Sequence, residues 1–249
     1  MTLTTIDESQ RRAARVAGLA GLLTMPFVVF ANFAIQERLV VGGDVAAMAR
    51  NILAHETLFR FSIACDLIYS AGLMVLASAL YVILRPVNRN LALLATFWRL
   101  VYALMWVRMT LNLFDALRIL GADYLRVFEA GQLQSLARLS LSARSDQYYV
   151  GLLFWALAAT ACSYLLHRSN YIPRSLAAFG IVASAWCVAC TLAFIIFPAF
   201  AEAVNLWWFD SPLALFEIAT SFWLLFKGLP ASGIAEPHTA GNRGQANAA

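Results

Sequence analysis

LALLATFWRLVYALMWVRMTLNLFD, Leu91 to Asp115, is long and apolar enough to cross a bilayer, yet it carries Arg99 and Arg108 inside the span. A charge at that depth costs roughly 2.5–3.5 kcal/mol on insertion scales, so such residues face protein, water or a partner charge. The two arginines stand nine residues apart, which puts them on nearly opposite faces of a helix. One face reads Arg99, Tyr102, Trp106, Thr110 and the other Arg108, Asn112, Asp115. A helix charged on both faces is expected at the centre of a bundle.

The rest of the chain supports that setting. Of 249 residues, 61% are hydrophobic and 13% charged, against about 25% charged in an average soluble domain. Apolar runs of about span length recur at 16–34, 61–84, 91–115, 148–166, 175–197 and 211–226. The expected fold is therefore all-α, an integral membrane bundle of six transmembrane helices over residues 16–227. Residues 1–15 form a polar lead ending in Arg11, Arg12 and Arg15, and 228–249 read as a disordered tail of Gly, Ala, Pro and polar residues. The first run is long for a signal-peptide core and follows Asp7 and Glu8, so a retained span is expected, kinked at Pro26.

Two longer loops separate these runs. Asp44 is a good N-cap for a short helix through Val45 and Ile52. Residues 118–147 repeat Leu125, Phe128, Leu133, Leu136, Leu139 and Leu141 among Arg and Gln, which reads as one or two separate amphipathic helices broken near Gly131.

Six spans put both termini on one side. That side holds nine basic residues, concentrated in short segments (Arg11, Arg12, Arg15, Arg85, Arg89, Arg168, Arg174, Lys227, Arg243). The other holds seven, spread over long loops. Short basic loops face the cytoplasm, so a multi-pass protein of the cytoplasmic membrane is expected, with N- and C-termini inside. Lys227 is the only lysine, so a retinal-type Schiff base has no buried amine. With no extended polar surface between spans, nucleic acid is not an expected partner; the bilayer is, together with a small-molecule or lipid ligand. Small residues at Ala17/Gly21 and Ala177/Gly180 permit close helix packing within a chain or in a homo-oligomer.

Three acids accompany the arginines: Asp66 in the second span, Asp115 at the end of the third and Glu217 in the sixth. At about 1.5 Å per residue, Asp66 and Arg108 agree in depth within about 2 Å. Glu217 lies near mid-membrane, within reach of Arg99 along its flexible stem. The expected pairs are Asp66–Arg108 and Glu217–Arg99. With Tyr69, Tyr102 and Thr220 beside them, these residues are candidates for a ligand site or a buried polar network. His55, Glu56 and Arg60 form a candidate polar group on the opposite surface from the termini. Simple charge neutralisation that fixes helix packing stands as the competing reading.

Other chemistry finds little support. Cys187 and Cys190 match the C-x-x-C spacing, but mid-span placement denies them access and favours core packing. His55, His167 and His238 are dispersed, so no metal or haem set and no cofactor is expected. No nucleophile elbow or phosphate-cradling loop is present.

The runs GDVAAMARNILAHETLFRFSIACDL, LYVILRPVNRNLALLATFWRL, HRSNYIPRSLAAFGI and FEIATSFWLLFKG follow one another in order. In that order they resemble a family of bacterial membrane proteins, domain of unknown function 4386. Matching positions include Asp44, Asn51, Glu56, Arg60, Asp66, Arg85, Asn88, Leu91, Arg99, Pro173, Glu217 and Lys227. The resemblance implies a six-helix membrane protein of about residues 10 to 229 and brings no catalytic residues. The first functional expectation is a bundle that binds or moves a small anionic or amphipathic molecule in a polar intramembrane cavity. A structural or signalling bundle, and a membrane-embedded lipid-modifying enzyme using Glu56 or Glu217, stay open, the enzyme being less favoured.

Overall fold

The computed structural model describes residues 6–41, 44–121, 127–197 and 199–230. Every regular element among them is helical: α1 (Glu8–Val29), a π-helix (Phe30–Gln36), α2 (Glu37–Leu39), α3 (Val45–Ala54), α4 (Glu56–Leu84), α5 (Arg89–Gly121), α6 (Ala130–Ser169), α7 (Arg174–Ile196), α8 (Phe200–Ala203) and α9 (Trp207–Phe226). Six of these segments are long and apolar enough to cross a membrane, with α1, the π-helix and α2 acting as one. They correspond to the six runs read from the sequence.

Local chemistry sets the ends. Asp7 caps α1 by accepting the Gln10 amide at 2.7 Å, and the Gln10 side chain returns a bond to the Asp7 N–H. Asp44 caps α3 by accepting the Ala47 amide, as expected. Asn170, in the left-handed region at φ 56°, closes α6, and Pro173 opens α7 with no N–H to leave unsatisfied. Pro26 lies inside α1, and the π-helical turns begin four residues later.

The spans form a closed ring in chain order. Each packs on its neighbours in sequence, and α1 returns to α9. This corrects the expected position of Leu91 to Asp115: α5 is one stave of the ring, between α4 and α6, and not its axis. The proximal end, where α1 begins and α9 stops, is tied by Gln10, whose amide donates to Ile83 O at 3.2 Å and to Tyr171 Oη at 3.4 Å. On the α1–α9 seam, a Cβ on Gly18 would lie 2.7 Å from Leu225 N and Ser221 O, so only glycine lets these backbones approach.

A second correction concerns residues 130–147. They are not separate amphipathic helices; they are the first turns of the 40-residue α6, which runs unbroken into the fourth span. Gly131 stands at its start and not at a break. Residues 122–126, the stretch with Leu125, and the expected disordered tail from 231 onward lie outside the described residues. The α6 extension buries Ala137 and Leu141 against Leu113, Ala116 and Leu117 of α5 and Met48 and Ile52 of α3. This distal cluster is a second, smaller core stacked on the larger one that fills the ring.

Candidate functional site

Two polar clusters lie inside the ring. In the first, Arg99 on α5 donates through Nη2 to Glu217 Oε1 on α9 at 2.6 Å. Trp155 Nε1 of α6 donates to the same oxygen at 2.8 Å. Arg99 is 3% exposed, so its charge is answered inside the protein. The pairing agrees with the depth expectation, and the face reading holds too: Arg99, Tyr102, Trp106 and Thr110 are all buried.

The second cluster surrounds Asp66 on α4, which is fully buried. Its partners are Gln36 Nε2 at 3.0 Å, Asn32 Nδ2 at 3.4 Å and the Arg144 guanidinium at 3.7 Å. Arg144 also donates to Gln36 Oε1 at 2.6 Å. The expected Asp66–Arg108 pair is therefore overturned. Depth was matched but azimuth was not: Arg99 faces the ring interior, so Arg108, half a turn around the same helix, faces outward. Arg108 is exposed and donates to Asn112 Oδ1, whose amide in turn reaches Gln147.

Arg144, Asn32, Gln36, Trp155 and Asp210 are functional-site candidates that sequence reasoning missed. A signal for Arg144 was present: it precedes Tyr148 by one helical turn, so an unbroken helix carries it into the ring. Asn32 and Gln36 likewise stand one turn apart and point the same way, toward Asp66.

Between the clusters opens a cavity of about 540 Å³, walled mainly by α1 with its π-helix, α5, α6 and α9, with Tyr69 contributed by α4. Tyr69 and Tyr102, both anticipated, line it with Trp106, Tyr148 and Trp155. Tyr102 stacks on Trp155 at 5.6 Å between centroids, and Tyr69 meets Trp106 edge-on at 4.9 Å. Arg144, Glu37 and Asp210 are the charged groups on its wall, and Asp210 accepts a bond from Tyr148 Oη at 2.9 Å. Arg99 and Glu217 do not line this cavity. Glu217 instead borders a gap of about 10 Å³, room for about one water, which shares Met25 and Tyr69 with the cavity wall.

Gly18 and Gly21 of α1 lie against Ser221 and Leu225 of α9, and the α1 lining of the cavity begins beyond them at Met25. At its rim Phe33 and Trp207 bring their rings to 5.6 Å. Both are exposed, as is Val29, so the rim is apolar and faces outward from the ring.

The remaining candidates lie elsewhere. Glu56 and Arg60 pair at 2.7 Å on the surface beside exposed His55, away from the cavity. Thr220 is buried, with a hydroxyl that finds no partner. All four cysteines are free and buried, Cys187 and Cys190 among the apolar core. Gly21 fits against Ser221, and Ala177 and Gly180 are packed inside the chain, Gly180 against Phe216 and Ser163. Among the described residues no group of three metal-ligating side chains converges.

A family model described as Domain of unknown function (DUF4386) matches residues 16–228. An uncharacterized protein of Archaeoglobus fulgidus is 24% identical over 155 residues, covering 62% of this chain and 76% of that protein. No solved structure matches. The match takes in both buried clusters and the walls of the cavity, and the chain belongs to the family of the domain of unknown function 4386.

Proposed function

We propose that this membrane protein binds, and in moving it across or within the bilayer carries, a small amphipathic molecule held in the aromatic cavity between α1, α5, α6 and α9. The observation that supports this most is the cavity itself. Its volume of about 540 Å³ falls within the roughly 300–1,000 Å³ of small-molecule sites, and its mixture of aromatic walls with a few polar groups is their usual chemistry. An apolar rim at Phe33, Val29 and Trp207 suits a ligand that arrives from the hydrocarbon.

The charge balance on the wall narrows the head group. Arg144 is the one cation there and is already opposed by buried Asp66, whereas Glu37 and Asp210 face the cavity without a cationic partner among the described residues. A neutral or cationic head therefore fits better than an anionic one, and the aromatic faces add cation–π attraction. From the basic short loops, the protein would sit in the cytoplasmic membrane with its termini inside and the cavity in the outer half.

Trp106, Trp155 and Trp207 make the cavity readable by fluorescence. The purified chain in nanodiscs would be titrated with brominated alkylammonium and brominated alkyl sulfonate probes. Saturable quenching is expected, stronger with the ammonium. Ala214, which lines the cavity, replaced by phenylalanine should fill it and remove the saturable part. Quenching that never saturates, or that Ala214→Phe leaves unchanged, would refute the reading.

A further inference from the structure

At the proximal end, away from the aromatic cavity, two clefts lie side by side. The first, about 300 Å³, is lined by Arg11 and Arg15 of α1, and by Leu225, Phe226 and Lys227 at the end of α9. The arginines are one helical turn apart and so share a face. All three cations are exposed, none pairs with an acid among the described residues, and no acid lines the cleft. Neighbouring Arg12, by contrast, is engaged by Glu8.

The second cleft, about 440 Å³, is formed by the α6–α7 turn and the end of α9, and sets Tyr171, Ile172, Pro173, Trp223 and Pro230 beside the polar Asn170, Arg174 and Lys227. Lys227 and Gly228 belong to both clefts. Gly228, at φ 66°, turns the chain after α9 so that Leu229 is buried and Pro230 joins the second wall. Phe222 and Phe226 stack at 5.9 Å on the exposed flank beside the cations. Cations converging on one cleft, with exposed aromatic and apolar surface next to them, match a ligand that is anionic at one end and apolar at the other.

We infer that this end of the bundle is a binding site for an anionic phospholipid, its phosphate held by Arg11, Arg15 and Lys227 and its apolar part lying along Phe226 and the Trp223 cleft. Orientation alone needs basic residues on this side but does not need them gathered on one cleft. A basic pocket between spans at the membrane surface is the arrangement that holds lipid head groups. A soluble phosphate would use the same cations without the apolar neighbours, so the lipid is the better-fitting source.

The test uses the full chain, reconstituted in nanodiscs of phosphatidylglycerol mixed equally with phosphatidylcholine, then released into the gas phase for native mass spectrometry. Wild type should retain phosphatidylglycerol selectively. At about fivefold per charge near the surface, Arg15→Gln with Lys227→Gln should weaken retention roughly thirtyfold. Arg12→Gln, which removes an equal charge already paired with Glu8, should leave it unchanged, as should Lys227→Arg. Should the double variant fail to fold, the single Lys227→Gln, with an expected loss of about fivefold, carries the comparison. Equal retention of both lipids, or a loss with Arg12→Gln as large as with Lys227→Gln, would overturn the inference. Displacement of the lipid by millimolar inorganic diphosphate would overturn the choice of lipid over soluble phosphate.

Discussion

Arg99 carries five N–H donors into the ring and meets one strong acceptor. Nη2 reaches Glu217, while Nε and Nη1 are buried without a partner. Glu217 Oε1 already accepts from Arg99 and Trp155, so the pair is charge-balanced but incompletely hydrogen-bonded. Breaking a buried pair strands a charge and costs about 3–5 kcal/mol, whereas replacing both partners with apolar groups is often neutral. Arg99→Met alone should therefore lower unfolding stability by about that amount, and Arg99→Met with Glu217→Leu should recover most of it. Denaturation of the reconstituted protein in a double-mutant cycle decides; additive losses would exclude the pair as their cause. The sequence made this pair legible, because a mid-membrane arginine demands an acid at its own depth and Glu217 was the one available. It did not make Asp66's partners legible. Arg144 reads as a loop residue until the helix carrying it is known to be continuous, and depth says nothing about which way Arg108 points.

The elements show why hydropathy found the six long apolar helices and misread the loops. Apolar runs measure what lies in hydrocarbon, but α6 continues as helix well beyond that region. From Gln132 to Val150 it meets no proline or glycine, so polar residues change its solvent without ending it. The α6 extension is anchored through Arg144, and Arg144→Gln should free it: amide exchange over residues 130–147 should quicken while the fourth span stays protected. Unchanged protection would show that Ala137 and Leu141 hold the extension without the polar cluster. The α1–α9 seam is the other sensitive element. A methyl at Gly18 would meet backbone atoms of α9 that cannot move aside individually, so Gly18→Ala should cost about 1–3 kcal/mol by overpacking. A thermal shift no larger than that of an exposed-surface control would argue that the seam relaxes freely.

At the scale of the whole molecule, a ring of six spans places both described ends of the chain at the proximal face and the smaller core at the distal face. The four native cysteines are buried, so engineered thiols should be labelled against a quiet background. Ser9→Cys should react from the cytoplasmic side and Ser135→Cys from the opposite side, measured with a membrane-impermeant maleimide on intact cells and on inverted vesicles. Labelling of both from one side would contradict the proposed topology.

The unbroken α6 has a mechanical consequence. It passes the cavity at Trp155, Tyr148 and Arg144 and then, with no break in the helix, forms part of the distal core at Leu141 and Ala137. A continuous helix transmits twist along its length. A rotation that draws Arg144 away from Asp66 also turns Leu141, three residues on, out of its seat. An occupant of the cavity that displaced Arg144 would therefore act at the distal core as well, with α6 as the shaft between them.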